Sequence, residues 1–220
     1  MGNFSYISYK LGNQSSASYG LCLGLLYMVL HYCGKNISGG VYNPVFMLAL
    51  LMNKSVKLSM FGTYSAGYVL ASYVGSQVVH YSLPGAVSSR LETLKAKDGI
   101  PNFDNDITGS RLLVTLFLFT IVQTLLYLYV TVDRDVDSDP SGAVLGGTVA
   151  AFTCASAHAL GGSYNPVRVV GGLFLADMNP AQMGLIIIPV LGGLVGYVLY
   201  RYVLAGEDLS VIFAEDEADV

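Results

Sequence analysis

Two triplets, Asn43-Pro44-Val45 and Asn165-Pro166-Val167, carry most of the polar chemistry of an otherwise apolar chain, and a lone arginine, Arg168, follows the second. An asparagine side chain has amide N–H donors and a carbonyl acceptor and does not ionise near neutral pH. The pair can therefore hold a neutral solute but cannot attack a bond or relay charge. Arg168 is a permanent cation that donates to oxygen atoms and repels other cations. Beside these residues the sequence shows no nucleophile–base pair and no metal-ligand spacing, so an enzyme is the least expected class. The chemistry on offer is sorting: neutral hydrogen-bonding molecules against charges.

The elements that position these residues are those of a membrane protein. Of the 220 residues, 53% are hydrophobic and only 12% charged, with a mean hydropathy of +0.55; soluble domains carry about 25% charged residues. This balance excludes a disordered chain and an ordinary cytosolic enzyme. A formal charge of −4 offers no basic face for nucleic acid. The expected partner is a lipid bilayer. Twenty-five glycines suggest close helix contact inside it. Cys22, Cys33 and Cys154 all lie in apolar stretches and are expected to be small buried hydrophobes.

A bilayer core requires about 20 apolar helical residues per crossing. Phe61–Leu83, Leu112–Val132, Gly142–Leu160 and Gly184–Ala205 meet that length, and Ala17–Gly34 is a shorter fifth span. All acidic residues, and every basic one but Arg168, fall between the spans, near their ends or in the tails. Val45–Met52 and Val167–Ala176 are too short to cross. Each begins at an Asn-Pro pair, where asparagine caps and proline loses no hydrogen bond. Half-helices are tolerated at membrane depth only against protein or a watery cavity, so two of them imply a cavity.

The chain also repeats itself. Gly39-Gly40-Val41-Tyr42-Asn43-Pro44-Val45 recurs as Gly161-Gly162-Ser163-Tyr164-Asn165-Pro166-Val167, six identities in seven at an offset of 122. The same offset carries the Gly20/Gly24 pair onto Gly142/Gly146, and span 62–83 onto span 184–205. Two halves meeting around a shared site follow from this. The offset places the partner of span 112–132 at about −10 to 10, where only a short polar segment, Met1–Ser16, stands; a first helix is expected to be missing. The organisation is then one channel domain over 1–220: a polar N-terminus 1–16, an incomplete half-repeat 17–83, a connecting loop 84–110, a second half-repeat 111–205 and an acidic tail 206–220. Positive-inside counting, five basic residues against four, sets no orientation.

Folding the halves about an in-plane axis brings Asn43 and Asn165 together near the midplane, with the positive ends of both half-helices. Water held there accepts from both amides and cannot readily donate onward, while the dipole ends oppose cations. Arg168, at the start of the second half-helix, would line the path above the asparagines. Neutral solutes would pass and charges would not.

Ile37-Ser38-Gly39-Gly40-Val41-Tyr42-Asn43-Pro44-Val45 and Gly161-Gly162-Ser163-Tyr164-Asn165-Pro166-Val167-Arg168 resemble the two signature loops of the major intrinsic protein family, the aquaporins and glycerol facilitators. Gly192-Gly193 and the Tyr200-Arg201 pair are also similar, and the resemblance covers about residues 20–205. It implies an all-α membrane fold of aquaporin-like inverted repeats with two half-helices meeting at the midplane, about five full spans here. It further implies a homotetramer with one pore per subunit, passing water or small uncharged solutes without a cofactor. Pore-constriction residues carried over are Asn43, Pro44, Val45, Asn165, Pro166 and Val167; the selectivity filter becomes Leu23, Thr153, Gly162 and Arg168. Valine stands at Val45 and Val167 where the family usually has alanine, so the half-helix tips must repack or the constriction must change. Phe117 replaces the family's acid in its fourth helix. Leu23 and Thr153 supply neither the aromatic nor the histidine of water-selective members. A wider filter is expected, admitting glycerol or urea as well as water, although Val169 stands where glycerol facilitators have aspartate.

Other signals weigh less. His158 could line an entrance, but a helix-end histidine is the plainer expectation for it, and His31 and His80 read the same way. Asp133, Asp135, Asp137 and Asp139 lack the glycine and glutamate of a calcium loop. Two rival classes stand beside the channel. A secondary transporter would need coupling residues at the midplane, where only Arg168 is ionisable. A chain lacking its first helix could instead be a non-conducting or regulatory subunit. The location is a multi-pass membrane protein, its membrane unspecified.

Overall fold

The computed structural model describes residues 2–85, 109–132, 140–170 and 180–205, and among these every regular element is helical. In chain order they are α1 (Gly2–Lys10), α2 (Ser16–Ser38), α3 (Pro44–Met52), α4 (Leu58–Ser82), α5 (Gly109–Thr131), α6 (Ser141–Leu160), α7 (Val167–Val170) and α8 (Pro180–Leu199), which runs into a π-helical turn, Tyr200–Leu204. The offset of 122 places α2 on α6, α3 on α7, and α4 on α8 with its π turn. All five expected spans are helices of 20–25 residues. Among the described residues, three helices are long and apolar enough to cross a bilayer: Ser16–Ser38, Leu112–Thr131 and Met183–Leu204. α4 is long enough but is diluted by serines, tyrosines and glycines, and α6 is interrupted near its end. There Ser156 leaves helical geometry (φ −128°). Its hydroxyl donates to Phe152 O at 2.7 Å and also pairs with the Tyr164 hydroxyl.

The halves meet where glycine removes the side chain. A Cβ added to Gly146 would lie 2.5 Å from the Gly24 carbonyl oxygen, and one on Gly24 would strike the Gly146 carbonyl. One helical turn away, a Cβ on Gly20 would lie 2.7 Å from Ala150 O and one on Gly142 would lie 2.5 Å from the Tyr32 ring. The contact is thus nearly self-complementary about a local two-fold axis between α2 and α6, as the repeat requires. A second glycine seam joins α8 to α5, with Gly192 against Phe117 O and Gly196 against Ile121 O, each at 2.8 Å from an added Cβ. Small residues allow such backbone approach, which stabilises membrane helices through close packing where lipid supplies no hydrophobic drive.

Met1–Ser16 was expected to be a polar tail, and its described part is otherwise. α1 buries Tyr6, Ile7 and Tyr9. Tyr6 and Tyr9, three apart on one face, pack with Tyr19, Leu23 and Ala157. Ile7 packs on Val79 near the end of α4. By the offset, α1 aligns with the last two turns of α5. Its Ser, Asn and Lys residues lower the average hydropathy and conceal the buried face. The cysteines also depart from expectation: Cys22 and Cys33 are exposed on α2 and only Cys154 is half-buried. In a bilayer an exposed thiol on a span faces lipid or a neighbouring chain, an environment as apolar as a core. The rest of the half-helix expected over Val167–Ala176, the aspartates at 133–139, the 86–108 part of the connecting loop and the tail 206–220 lie outside the described residues.

The valines of the two motifs find different settings. Val45 is buried, and its Cγ1 fills the space that a side chain on Gly193 would take. The half-helix tip therefore repacks against α8. Gly193→Ala is expected to destabilise the protein by about 1–3 kcal/mol through overpacking, read as a lower melting temperature in detergent micelles. Adding Val45→Ala should recover most of that loss; a double variant no more stable than Gly193→Ala would show that this contact is not tight.

Candidate functional site

Each Asn-Pro-Val loop is built the same way. A helix (α2 or α6) ends in two glycines with positive φ, Gly39 and Gly40 at 74° and 63°, Gly161 and Gly162 at 53° and 74°. Left-handed backbone there favours glycine and turns the chain back toward the membrane centre. The asparagine then caps the next helix: Asn43 Oδ1 accepts from the Val45 N–H at 3.0 Å, and Asn165 Oδ1 accepts from the Val167 N–H at 3.1 Å. Proline follows in the first turn, where its missing N–H costs nothing. With each oxygen committed to its own helix start, the amide nitrogen is the group left to face outward.

The two loops touch. Asn165 Nδ2 donates to the Tyr42 backbone oxygen at 2.7 Å, bridging the half-repeats beside Asn43. Both amides were expected to be free for a solute; one of Asn165's two N–H groups is used in this bridge instead. A cavity of about 290 Å³ opens over the junction, lined by Asn43, Asn165, Val167, Arg168, Gly162 and Leu23 among others. Its volume is many times the roughly 10–15 Å³ that one water requires. Val45 is not among its lining residues, and Pro44 and Pro166 serve as helix starters.

The four residues counted back from the asparagines converge. A Cβ placed on Gly162 would lie 2.7 Å from Arg168 Nη1, 3.0 Å from Leu23 Cδ1 and 3.3 Å from Thr153 Oγ1. Leu23, Gly162 and Arg168 line the cavity, whereas Thr153, wholly buried, sits behind Gly162. The arginine is anchored. Nη1 donates to Gly161 O at 2.9 Å and Gly162 O at 2.8 Å, and Nη2 donates to the Tyr19 hydroxyl at 3.1 Å. Tyr19 in turn donates to Gly161 O at 2.5 Å. A cation at membrane depth is thus held by carbonyl and hydroxyl dipoles, with Nε left buried and without a hydrogen-bond partner.

Sequence reasoning missed several residues here. Tyr19 and Tyr27 lie four before and four after Leu23, on the same helix face; counting in fours from Leu23 was the available signal. Tyr27 and Gln123 line the cavity, and Gln123, only 2% exposed, is a buried polar residue on α5 that hydropathy passed over. His31, expected to be an unremarkable helix-end histidine, is instead buried within α2, where Nδ1 pairs with Gly40 O at 3.1 Å and Nε2 with Ser141 Oγ at 3.0 Å. The offset maps His31 onto Thr153. His80 is exposed on α4, and the side chain of His158 lies outside the described residues.

Two half-helices capped by asparagine, meeting within an inverted repeat of membrane-spanning helices, define a class of channel-forming membrane proteins. The family model described as Major intrinsic protein matches residues 3–200, and the chain belongs to that family; it is a multi-pass membrane protein. Relatives include the Glycerol uptake facilitator protein-like 6 of Lactiplantibacillus plantarum, 28% identical over 71% of this chain and 70% of that one. Aquaporin Z of Rhodopseudomonas palustris is 26% identical over 87% and 80%, and human Aquaporin-2 is 26% identical over 87% and 67%. Among solved structures, the aquaglyceroporin from Plasmodium falciparum superposes with a TM-score of 0.76, at 17% identity, over 93% of this chain and 90% of that one. That last likeness speaks to the fold.

Gly162 is the position where the cluster has least room. Gly162→Ala would place a methyl among Leu23, Thr153 and Arg168 at a left-handed φ, a strain of about 1–2 kcal/mol. The variant is expected to melt earlier than the parent in detergent and to displace the Arg168 guanidinium, visible in its crystal structure. An unmoved guanidinium would show that the side chains around Gly162 have slack.

Proposed function

We propose that this chain is a passive channel for water and small uncharged solutes, glycerol or urea among them, that excludes protons and ions. The observation that carries the reading is the Asn165–Tyr42 bridge under a cavity shared by both asparagines and Arg168. A solute there would accept from the amide nitrogens. The fixed guanidinium, in a low-dielectric setting, would raise the energy of any cation beside it. Asn43, Asn165 and the starts of their half-helices (Pro44, Val45, Pro166, Val167) would form the central constriction; Leu23, Thr153, Gly162 and Arg168 would form the filter. With leucine and glycine lining it and threonine behind Gly162, the filter would have room beyond a single water. The relatives named as glycerol facilitator and as aquaporins support both solute classes. The chain would work as one channel domain rather than as an enzyme, assembled as a homotetramer in its bilayer.

A second reading, a non-conducting or regulatory subunit, draws on α4. Only Ser72, Ser76 and Val79 are buried on that helix, and nothing approaches within 4 Å of a Cβ on Gly67 or Gly75. Stopped-flow light scattering on liposomes holding the purified chain separates the two. Under a sucrose gradient, shrinkage well above that of empty liposomes is expected, followed by fast re-swelling in glycerol. Arg168→Ala should then leak cations. Water movement without glycerol entry would sink the wide filter and keep the channel; no increase over empty liposomes, with protein folded and inserted, would favour the second reading.

A further inference from the structure

The anchoring of Arg168 extends beyond the loop that carries it. Tyr19 is completely buried and both accepts from Arg168 Nη2 and donates to Gly161 O. Its ring is stacked on Tyr9, with centroids 5.3 Å apart and planes 12° from parallel, and is flanked by Tyr6 at 5.9 Å. Tyr6 and Tyr9 belong to α1 and are themselves buried. Lys10 Nζ, on the same helix, lies over the Tyr6 ring at 5.8 Å from its centroid. A chain of contacts therefore runs from α1 through two rings to one hydroxyl and then to the guanidinium. Each link has one geometry: stacked rings fix the plane of Tyr19, and the plane fixes where its hydroxyl sits.

We infer that Tyr19 is the positioning residue for Arg168, and that α1 sets the place of the guanidinium through Tyr6 and Tyr9. The two ends of the chain of contacts require different chemistry. At Tyr19 the hydroxyl is essential, because a charge-assisted hydrogen bond passes through it. At Tyr9 the contact with Tyr19 is the stacked ring. The loop carbonyls of Gly161 and Gly162 hold Nη1 alone, so without Tyr19 the planar group retains one anchored nitrogen and can swing about it. As a consequence for the proposed channel, on whose reading this part rests, the fidelity of the filter would depend on a helix that carries no filter residue.

The test labels Arg168 with phenylglyoxal in detergent-solubilised full chain and reads the modified peptide by mass spectrometry, with Arg201 as internal reference. Tyr19→Phe is expected to raise the Arg168 labelling rate about tenfold, the factor lost with one hydrogen bond to a charged group. The Tyr6→Ala/Tyr9→Ala pair, which keeps the hydroxyl, should also raise it several-fold, whereas Tyr9→Phe should label at the parent rate. A merely structural role would raise Arg201 labelling as well. Parent-rate labelling in Tyr19→Phe, or a Tyr9→Phe rate equal to that of the alanine pair, would overturn the inference. In liposomes Tyr19→Phe should raise cation leak relative to water flow. If the parent passes no water at all, the channel reading fails, and the labelling rates still decide the role of Tyr19.

Discussion

The approach of two backbones at Gly24 and Gly146 sets the distances on which everything else relies. α2 and α6 each end in the double glycine that starts an Asn-Pro-Val loop, so their crossing fixes how far apart the loops lie. With a side chain at either glycine the helices would stand further apart, and Asn165 could not reach the Tyr42 carbonyl at 2.7 Å. In lipid no water stands by to satisfy a loop held at the wrong separation. A packing contact between residues without side chains thus governs the polar geometry at the centre.

That centre is a problem of backbone groups, and the chain answers it mostly with tyrosine. Non-helical carbonyls at membrane depth need donors. Tyr64 donates to Ser38 O at 3.0 Å, Tyr68 to Val41 O at 2.8 Å, and Tyr197 to Met52 O at 2.9 Å at the end of α3. Tyr19 and Arg168 serve Gly161 in the other loop. A tyrosine suits this role because its ring packs with apolar neighbours while its tip delivers one hydrogen bond. Sixteen tyrosines and no tryptophan make sense as a supply of such donors, each worth about 1 kcal/mol net and more when its loss strands a carbonyl.

The repeat makes the architecture legible in the sequence itself. One offset placed both half-helices, the α2–α6 contact and the α4–α8 correspondence, because an inverted duplication must preserve spacing to preserve its two-fold contacts. Asn43, Asn165 and Arg168 stood out because polar groups are costly in lipid. Three things stayed hidden, for physical reasons. α1 is short, and its buried tyrosines alternate with serine and lysine, so averaging removed it. Tyr19, Tyr27 and Gln123 act by direction along a helix face, which composition does not record. The fit of Val45 against Gly193 joins residues 148 positions apart, and no local pattern announces it.

The pairing of His31 with Thr153 shows what duplication has allowed. In one half the imidazole reaches across to the Gly40 carbonyl and to Ser141, closing that loop against the neighbouring helix. In the other half the equivalent residue is a short threonine that stays behind Gly162, and the guanidinium of Arg168 takes the loop carbonyls instead. The two copies of the frame differ: His31 is buried against Gly40 and Ser141, while Arg168 lines the cavity. The frame is symmetric, but its two ends present different chemistry: a buried imidazole closes one loop, and a permanent cation borders the cavity at the other.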